Sequence, residues 1–386
     1  MALYYLTFVS WPEFESYKLS VSPAGQNKSD FIIRSLCETG MHFSVVSLAS
    51  TSNRTGIFPA KTIAITEQAS LQVFWGFGQP NRLVRKLHSW LRKAQLFLFL
   101  MKLSKKDVVI DYHSLGTAKT ICMAKKLRGF KLILELEEIY QDVVKCNNRL
   151  KKNENEILQS ADAYLLSVKG LTKRISSVKP YIVANGSYTT EPNRNVSFVD
   201  AKVHCVYAGT FDLTKGGAAA AAAAAAFLPE NYHVHILGFG TEKQKKNLME
   251  QIEEVKEKCK CTLTYDGLLS GEEYICFLQK CQIGLCTQIP DATYTETSFP
   301  SKVLVYMANG LHVLSPRIKA VEESGMGDLI HYYDEQTPQC IANAIEEIDM
   351  QQPYDSRTRL QQFDKQFALD LQTLLKGLCD DASLTN

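Results

Sequence analysis

The sequence lacks the features that define several protein classes. It has no stretch of 18 uncharged apolar residues, so we expect no membrane span. The N-terminus has no basic segment before its apolar run, so we interpret residues 3–8 as a β-strand and not as a secretion signal. The formal net charge is only +2, which argues against nucleic acid as a partner. These absences favour a soluble globular protein.

Paired cysteine motifs are absent as well. The 11 cysteines are scattered, and none stands in a C-x-x-C pair. Such a set is typical of free thiols in a reducing compartment, so we predict a cytoplasmic protein. The closest group lacks the spacing of zinc ligands, and buried cysteine is its better interpretation. Its members are Cys259, Cys261, Cys276, Cys281 and Cys286. We therefore predict no metal site.

Short apolar runs alternate with segments of helical period along the chain. Six strands are predicted before residue 190, over 3–8, 42–49, 107–112, 130–136, 163–167 and 180–184. Five follow it, over 203–210, 233–240, 261–267, 282–288 and 311–316. The first helix is expected to begin near Ser29 or Asp30, and residues 354–378 to be helical. This alternation is typical of parallel sheets covered by helices.

A polar segment over residues 186–197 separates the two series and is interpreted as a linker. The fold class is therefore α/β, with two Rossmann-like, doubly wound domains facing a central cleft. We place the N-terminal domain over 1–190 and the C-terminal domain over 197–364. Residues 365–386 are expected to pack back on the first domain as a helix.

Two segments have an unusual composition. Ala218 to Ala226 is an unbroken alanine run, which predicts a helix packed closely on a sheet. Residues 82–106 carry eight Lys or Arg, with Leu83, Leu87, Trp90 and Leu91 at helical spacing. A helix of this kind either binds an anionic membrane surface or simply turns its apolar face to the core.

Three elements of the second domain suit a phosphate-bearing ligand. Gly209 follows a strand and Lys215 precedes a helix, where free N–H groups favour anions. Gly238 and Gly240 repeat the strand-then-glycine arrangement. The third element, SFPSKVLVYMANG, offers Ser298 and Ser301 as helix caps, Pro300 for an early helical turn, and Lys302 as a cation.

These motifs occur in a familiar order. Four segments of the second half resemble the donor domain of retaining, family-4 glycosyltransferases of the GT-B fold. They are, in order, YAGTFDLTKGG, HILGFG, YDGLLSGEEYICFLQKCQIGL and SFPSKVLVYMANGLHVLS. Four segments of the first half resemble the N-terminal domain of the same family more loosely. They are DVVIDYHSLGTAK, LILELEEIY, ILQSADAYLLSVKGL and IVANGS. The resemblance covers about residues 105–350 and is specific for the superfamily, not for one sugar.

The resemblance implies a UDP- or GDP-linked sugar donor, no metal cofactor, and a glycan or lipid-linked acceptor. Lys215 would contact the donor diphosphate, and Ser301 and Lys302 the distal phosphate. Gly238 and Gly240 would let the backbone approach the nucleotide. Gly267 and Leu268 would lie against the base, and Gly25 of the first domain would approach the donor.

Two positions depart from the family pattern. Thr210 and Phe211 stand where an Arg is usual, and Val305 stands where a Glu usually holds the ribose. Glu296 and Thr297 match the family's first acid only approximately. Loss of a charged hydrogen bond to the ribose costs about 1.5–3 kcal/mol. Val305 therefore predicts weakened ribose recognition unless another residue compensates.

The catalytic candidates of the first domain stand at the ends of predicted strands, where open α/β sheets bind ligands. They are His113, Glu135, Glu137 and Glu138, and Lys215 joins them from the second domain. For each acid the alternative is a solvated loop residue, and for His113 a structural, hydrogen-bonded side chain.

The prediction is a glycosyltransferase of surface polysaccharide or capsule assembly, peripheral on the inner face of the membrane. A Rossmann oxidoreductase is disfavoured, because no G-x-G-x-x-G follows a predicted strand. A GT-B sugar-nucleotide epimerase and a non-catalytic nucleotide-sugar-binding homologue remain as alternatives. Val305 favours the latter slightly.

Overall fold

A computed structural model describes residues 2–143, 146–176, 178–212, 216–290 and 298–383. The chain divides into two compact units, Met1–Ser187 with Asp364–Asn386, and Tyr188–Phe363. Within the described ranges, no helix is both long enough and apolar enough to cross a membrane. The cysteines whose side chains are described are all free thiols.

The first unit is built on an eight-stranded sheet and a separate two-stranded ribbon. The strands are β1 (Leu3–Thr7), β2 (Phe43–Ser47), β3 (Ile57–Phe58), β4 (Lys61–Ala64), β5 (Ala69–Val73), β6 (Gly76–Phe77), β7 (Val108–Tyr112), β8 (Lys131–Leu136), β9 (Ala163–Leu166) and β10 (Tyr181–Val183). The large sheet has the order β10, β9, β8, β7, β1, β2, β5, β4, while β3 pairs with β6. All neighbours in the large sheet are parallel except β4 and β5.

Within the described ranges, five helices lie between these strands along the chain. They are α1 (Pro23–Glu38), α2 (Arg82–Leu100), α3 (Ala118–Arg128), α4 (Tyr140–Val143) and α5 (Asn148–Ser160). The predicted start of α1 near Ser29 or Asp30 is wrong. Ser22 accepts a hydrogen bond from the Gly25 N–H and caps the helix, and Pro23 occupies its first turn.

The second unit contains a six-stranded sheet in which all neighbours are parallel. Its strands are β11 (Val203–Thr210), β12 (Tyr232–Phe239), β13 (Thr262–Gly267), β14 (Ile283–Leu285), β15 (His312–Pro316) and β16 (Ile330–Tyr333), in the order β13, β12, β11, β14, β15, β16. The helices are α6 (Gly217–Ala224), α7 (Glu242–Lys256), α8 (Gly271–Lys280), α9 (Ser301–Ala308), α10 (Lys319–Glu322) and α11 (Pro338–Glu346).

The alanine run forms the predicted helix. Ala221, Ala222 and Ala224 are fully buried in one core cluster with Cys205 and Ile236. Short 3-10 turns complete the regular structure at Pro12–Tyr17, Lys169–Arg174, Ala225–Phe227 and Gly327–Leu329.

The last helix, α12 (Ser356–Ser383), packs on α1 within the first unit from Asp364 onward. Arg34 of α1 donates two hydrogen bonds to the Asp364 carboxylate, at 2.8 and 2.7 Å. The rings of Phe31 and Phe367 stack with their centroids 5.1 Å apart. A bidentate ion pair and an aromatic contact therefore hold the C-terminal helix to the first helix.

Each large sheet has one place where the strand order reverses. In the first unit it lies between β1 and β7, and in the second between β11 and β14. Ligands of open parallel sheets bind outside the carboxyl ends of the strands at such a place. Two regions of the described chain thus qualify as binding sites, one in each unit.

Candidate functional site

The binding region of the second unit is built around Gly209 and Lys302. Gly209 lies near the end of β11, and Lys302 lies in the first turn of α9. A β-carbon at Gly209 would be 2.5 Å from the Cε and 2.6 Å from the Nζ of Lys302. The ammonium also lies 5.1 Å from the centre of the Tyr207 ring. Because position 209 has no side chain, the Lys302 ammonium can lie across the end of β11.

Gly238 closes the same edge from the neighbouring strand. It is the register partner of Gly209, and its φ is +137°. A β-carbon at Gly238 would lie 1.7 Å from the Gly209 carbonyl oxygen, which no rearrangement of side chains could relieve. The two glycines therefore keep a stretch of bare backbone beside the Lys302 ammonium, as a ligand with a diphosphate requires.

Buried tyrosines support this edge from beneath. The Ala208 N–H donates a hydrogen bond to the Tyr306 hydroxyl at 2.9 Å, which ties the end of β11 to α9. Tyr306 is fully buried and packs against Gly284 of β14. Helix α9 is thus anchored at the strand reversal, and Lys302 is positioned with it.

Helix α9 begins at Ser301 with Pro300 in the N-cap position. The expectation that Ser301 caps this helix and Pro300 lies in its first turn is therefore wrong, because Pro300 occupies the cap position and Ser301 is the first helical residue. Proline brings no capping side chain, and no side chain of the described residues caps the start of α9. Ser298 precedes the helix and is half-buried.

Val305 lies one turn into α9, is half-buried, and accepts a hydrogen bond from the Asn309 amide through its carbonyl at 2.9 Å. Its side chain offers no hydrogen bond to a ribose. Lys215, Glu296 and Thr297 lie outside the described residues, so their predicted roles stay predictions.

The remaining donor candidates of the second unit lie along the same end of the sheet. Gly240 directly follows β12, and Gly267 ends β13 with a φ of +84°. Leu268 is 64% exposed, and Phe239, which the sequence analysis did not select, is 56% exposed. Two exposed apolar side chains beside bare glycine backbone form a surface on which a flat base can rest. An aromatic residue directly before a strand-end glycine was the available signal for Phe239.

The first unit has a cavity at its own strand reversal. It encloses about 300 Å³ and is lined by Thr7, Phe8, Ser20, Ser22, Gly25, Ser29, Tyr112, Ser114 and Tyr140. Phe8 directly follows β1 and Ser114 closely follows β7, so the cavity lies where the topology places a ligand. Gly25 is the predicted site residue that lines it, and its hydroxyl-rich wall suits a polar ligand.

Acidic side chains cluster beneath this end of the first sheet. Glu135 is fully buried and accepts a hydrogen bond from the Tyr5 hydroxyl at 2.8 Å. Burial, followed by the charge of Glu137, raises the pKa of Glu135 to about 8. Burial and the neighbouring Glu135 also raise the pKa of Asp111 well above its usual range. Lys28 lies 3.5 Å from Glu137 and donates a hydrogen bond to the Ala184 carbonyl at 2.7 Å.

The predicted catalytic acids therefore differ in character. Glu135 is a buried, protonated core group near neutral pH, whereas Glu137 and Glu138 are half-buried and come just after β8. Of these three acids, Glu137 and Glu138 are the ones whose partial exposure would let a substrate reach them.

His113 is held by a second buried acid. The Glu154 carboxylate accepts hydrogen bonds from the Tyr140 N–H at 2.8 Å, the Gln141 N–H at 2.9 Å and His113 Nε2 at 3.0 Å. Burial opposes ionisation of Glu154, but these hydrogen bonds outweigh it and lower its pKa. An ionised carboxylate only accepts, so Nε2 of His113 carries the proton and Nδ1 is its basic nitrogen. Among the described residues, Nδ1 has no hydrogen-bond partner.

Comparison with known proteins gives a result at the level of fold. No protein-family profile matches the sequence, and no curated protein matches it. Many solved structures do. An α,α-trehalose 6-phosphate synthase from Burkholderia multivorans is 10% identical with a TM-score of 0.65, over 100% of this chain and 98% of its own.

Two other solved structures match over the same extent. A sucrose-phosphate synthase from Thermosynechococcus elongatus is 14% identical with a TM-score of 0.65, over 98% of this chain and 99% of its own. Anabaena HepE, crystallised with UDP and glucose, is 14% identical with a TM-score of 0.63, over 99% of both chains. The resemblance inferred from the motifs is thereby confirmed at the level of architecture, and the chain has the GT-B fold of two Rossmann-like domains.

Proposed function

We propose that this chain is a retaining glycosyltransferase, a hexosyltransferase that moves a sugar from a UDP- or GDP-linked donor to a glycan or lipid-linked acceptor. The observation that carries the proposal is the position of Lys302, whose ammonium crosses the bare backbone of Gly209 opposite Gly238. The UDP bound to HepE supports the donor class, because that protein has the same fold.

The proposed chemistry follows from where charge develops. Cleavage of the bond between the sugar C1 and the diphosphate leaves negative charge on the departing phosphate. The Lys302 ammonium and the positive N-terminal end of α9 would stabilise that charge, which is electrostatic catalysis by groups already in place. Lys215 would add a second cation. No metal is required for this step, because the lysine cations stabilise the charge of the leaving phosphate.

The first unit would supply the acceptor contacts. Its cavity of about 300 Å³ at the end of β1 and β7 is the proposed acceptor region, with Gly25 in its wall. His113 and Glu137 are the proposed polar groups. In a retaining reaction of this type the leaving phosphate takes the acceptor proton, so neither of them has to act as the base.

The donor assignment can be tested by calorimetry. UDP- and GDP-sugars are titrated into the full chain, into Lys302→Ala, and into Lys246→Ala. Lys246 lies on α7 with its side chain 77% exposed, so it is a matched surface control. We expect micromolar binding of one nucleotide class, weakened at least about tenfold in Lys302→Ala and unchanged in Lys246→Ala. Equal binding by all three proteins would refute the assigned phosphate site.

Turnover separates the transferase from the alternatives. A transferase releases free nucleotide when an acceptor is present, and NMR of the product shows the donor's anomeric configuration retained. An epimerase converts the donor sugar without an acceptor. Binding without either reaction would identify a non-catalytic homologue, which is the alternative that Val305 favours.

The second part of the proposal concerns location. We propose that α2 rests on an anionic membrane surface from which a lipid-linked acceptor of surface polysaccharide assembly is reached. Leu83, Leu87, Trp90 and Leu98 follow helical spacing and are 77%, 58%, 70% and 63% exposed. Arg82, Arg85, Lys86 and Lys93 are exposed on the same helix. Exposed apolar residues flanked by cations suit the boundary of an anionic bilayer.

Arg92 does not belong to this surface. Its guanidinium donates hydrogen bonds to the Ala49 and Ser47 carbonyls at 2.7 and 3.0 Å, and burial lowers its pKa to about 10. It fastens α2 to the first unit, so we count only the exposed cations toward membrane binding.

Vesicle sedimentation tests the location. Full chain is mixed with phosphatidylcholine vesicles with and without 30% or so of an anionic lipid at low salt, a composition chosen to supply surface potential. We expect binding to the anionic vesicles alone, lost in Trp90→Asp and retained in Leu369→Asp, a control on α12 that is 58% exposed. Failure of the unaltered chain to sediment with anionic vesicles would remove the membrane from the proposal without affecting the donor assignment.

A further inference from the structure

Three histidines gather on one face of the second sheet, away from the glycine-rich edge. His204 of β11 is the register partner of His233 of β12, and His235 follows two residues later on the same face. Each offers one ring nitrogen, and these three atoms lie within 4.8 Å of one another. His204 and His235 are each only 2% exposed, and His233 is half-buried.

The outer nitrogens of two of these rings face carboxylates. His204 Nε2 lies 2.7 Å from Asp200 Oδ1, and His235 Nδ1 lies 3.1 Å from Asp266 Oδ2. Thr264 donates its hydroxyl hydrogen to the same Asp266 oxygen at 2.8 Å. Ionised carboxylates only accept hydrogen bonds, so both imidazoles must donate outward.

The inner nitrogens then face each other. His204 Nδ1 and His235 Nε2 are 2.9 Å apart. A neutral imidazole carries a single N–H, and both rings have used theirs on a carboxylate. Two lone pairs at this separation repel each other unless a proton or a metal cation lies between them. A carboxylate on the outer nitrogen of a histidine is also the arrangement that orients metal-binding histidines in proteins.

We propose that His204, His233 and His235 form a binding site for one divalent transition-metal ion of the Zn²⁺ class. Imidazole nitrogen is a preferred ligand of such ions, and solvent completes the four-coordinate shell. Ligands at Zn–N distances of about 2.0–2.1 Å in a tetrahedral shell lie about 3.4 Å apart. His204 Nδ1 and His235 Nε2 therefore need to separate by about half an ångström when the ion binds.

The surroundings of the site indicate a structural role. Phe198 stacks on His204 and His235, with ring centroids 4.0 and 5.2 Å away, and Phe277 meets His235 edge-on at 5.1 Å. The cluster lies near the start of β11, five residues before Gly209, which corresponds to about 16 Å along a strand. A metal here would join β11, β12 and, through Asp266, β13, without touching the proposed donor.

The experiment uses the full chain without an affinity tag, stripped with a chelator and titrated with CoCl₂ and ZnCl₂. We expect one Co²⁺ per chain with the visible absorption of a tetrahedral or five-coordinate ion, displacement of that absorption by Zn²⁺, and a higher Tm with Zn²⁺. His233→Gln should abolish the absorption. Because Asp200 is at the surface, Asp200→Ala should fold normally and weaken binding about 10- to 100-fold.

The second unit contains a matched control. His312 Nδ1 lies 3.1 Å from His331 Nε2, but Tyr354, and not a third histidine, stacks on His312 at 4.1 Å. His312→Gln should leave Co²⁺ binding unchanged. The proposal is overturned if the unaltered chain binds no Co²⁺ stoichiometrically, or if His312→Gln weakens binding as much as His233→Gln does.

Discussion

The Lys302 side chain crosses Gly209 so closely that a β-carbon at position 209 would lie 2.5 Å from its Cε and 2.6 Å from its Nζ. Gly209→Ala should therefore displace the ammonium from the strand end. Only the end of a flexible side chain has to move, so stability should change little. We expect nucleotide-sugar binding to weaken about tenfold, as loss of one charged contact implies, measured by calorimetry.

A double-mutant cycle provides the control for this prediction. If Gly209→Ala acts by moving Lys302, it should have little further effect on binding in a Lys302→Ala background. Additive losses from the two changes would show that position 209 acts independently of Lys302.

Val305→Glu should restore a ribose contact. Val305 is half-buried in α9, one turn after Ser301. The glycosyltransferase family that the sequence resembles usually carries a Glu at this position. We expect nucleotide-sugar affinity to rise about 10- to 100-fold, the equivalent of one charged hydrogen bond. Val305→Gln is the uncharged control and should gain less. A gain that appears equally for inorganic pyrophosphate would contradict a ribose contact, because pyrophosphate has no ribose.

Comparing alanine substitutions at Gly238 and Gly267 separates the cost of a steric clash from the cost of backbone strain. Both have positive φ, +137° and +84°, but a β-carbon at Gly238 would lie 1.7 Å from the Gly209 carbonyl oxygen, whereas at Gly267 it would meet nothing within 4 Å. In denaturant titrations, Gly267→Ala should lower the free energy of unfolding by about 1 kcal/mol. Gly238→Ala should cost several times as much, since β11 and β12 must separate. Equal costs would show that the close approach is relieved cheaply.

Glu135 should make stability fall as pH rises. Burial and Glu137 raise its pKa to about 8 from an ordinary 4.5, so between these values the folded chain binds a proton that the unfolded chain has released. The free energy of unfolding then decreases with rising pH by up to about 1.4 kcal/mol per unit. Glu135→Gln removes this dependence and still accepts the hydrogen bond from Tyr5.

Urea titrations from pH 4 to pH 8 measure this effect. The variant should equal the unaltered chain near pH 4 and exceed it in stability increasingly toward pH 8. Glu254→Gln, at an exposed position of α7, should not alter the profile. If the difference between Glu135→Gln and the unaltered chain stays constant over this range, Glu135 does not hold a proton in the folded state.

Much of the secondary structure was predictable because a parallel sheet buried on both faces requires continuous apolar runs. The predicted strands 3–8, 130–136 and 203–210 agree with β1, β8 and β11 to within one residue. The ribbon of β3 and β6, the edge strand β4, and the strands β5 and β16 were missed. β3 and β6 have two residues each, and β4 is largely exposed. β5 alternates buried and half-buried residues and β16 has four residues, so none of the five carries a long apolar run.

The sequence alone determined the α/β class, the doubly wound topology, and the positions where glycine or lysine stands at a strand end, since these depend on local periodicity and spacing. Only the tertiary structure decided which of those residues meet. Lys302 and Gly209 are 93 residues apart and come together because β11 and β14 are neighbours at the strand reversal. Likewise, the burial that protonates Glu135 and the register that joins His204 to His233 arise from strand pairing, which no short stretch of sequence encodes.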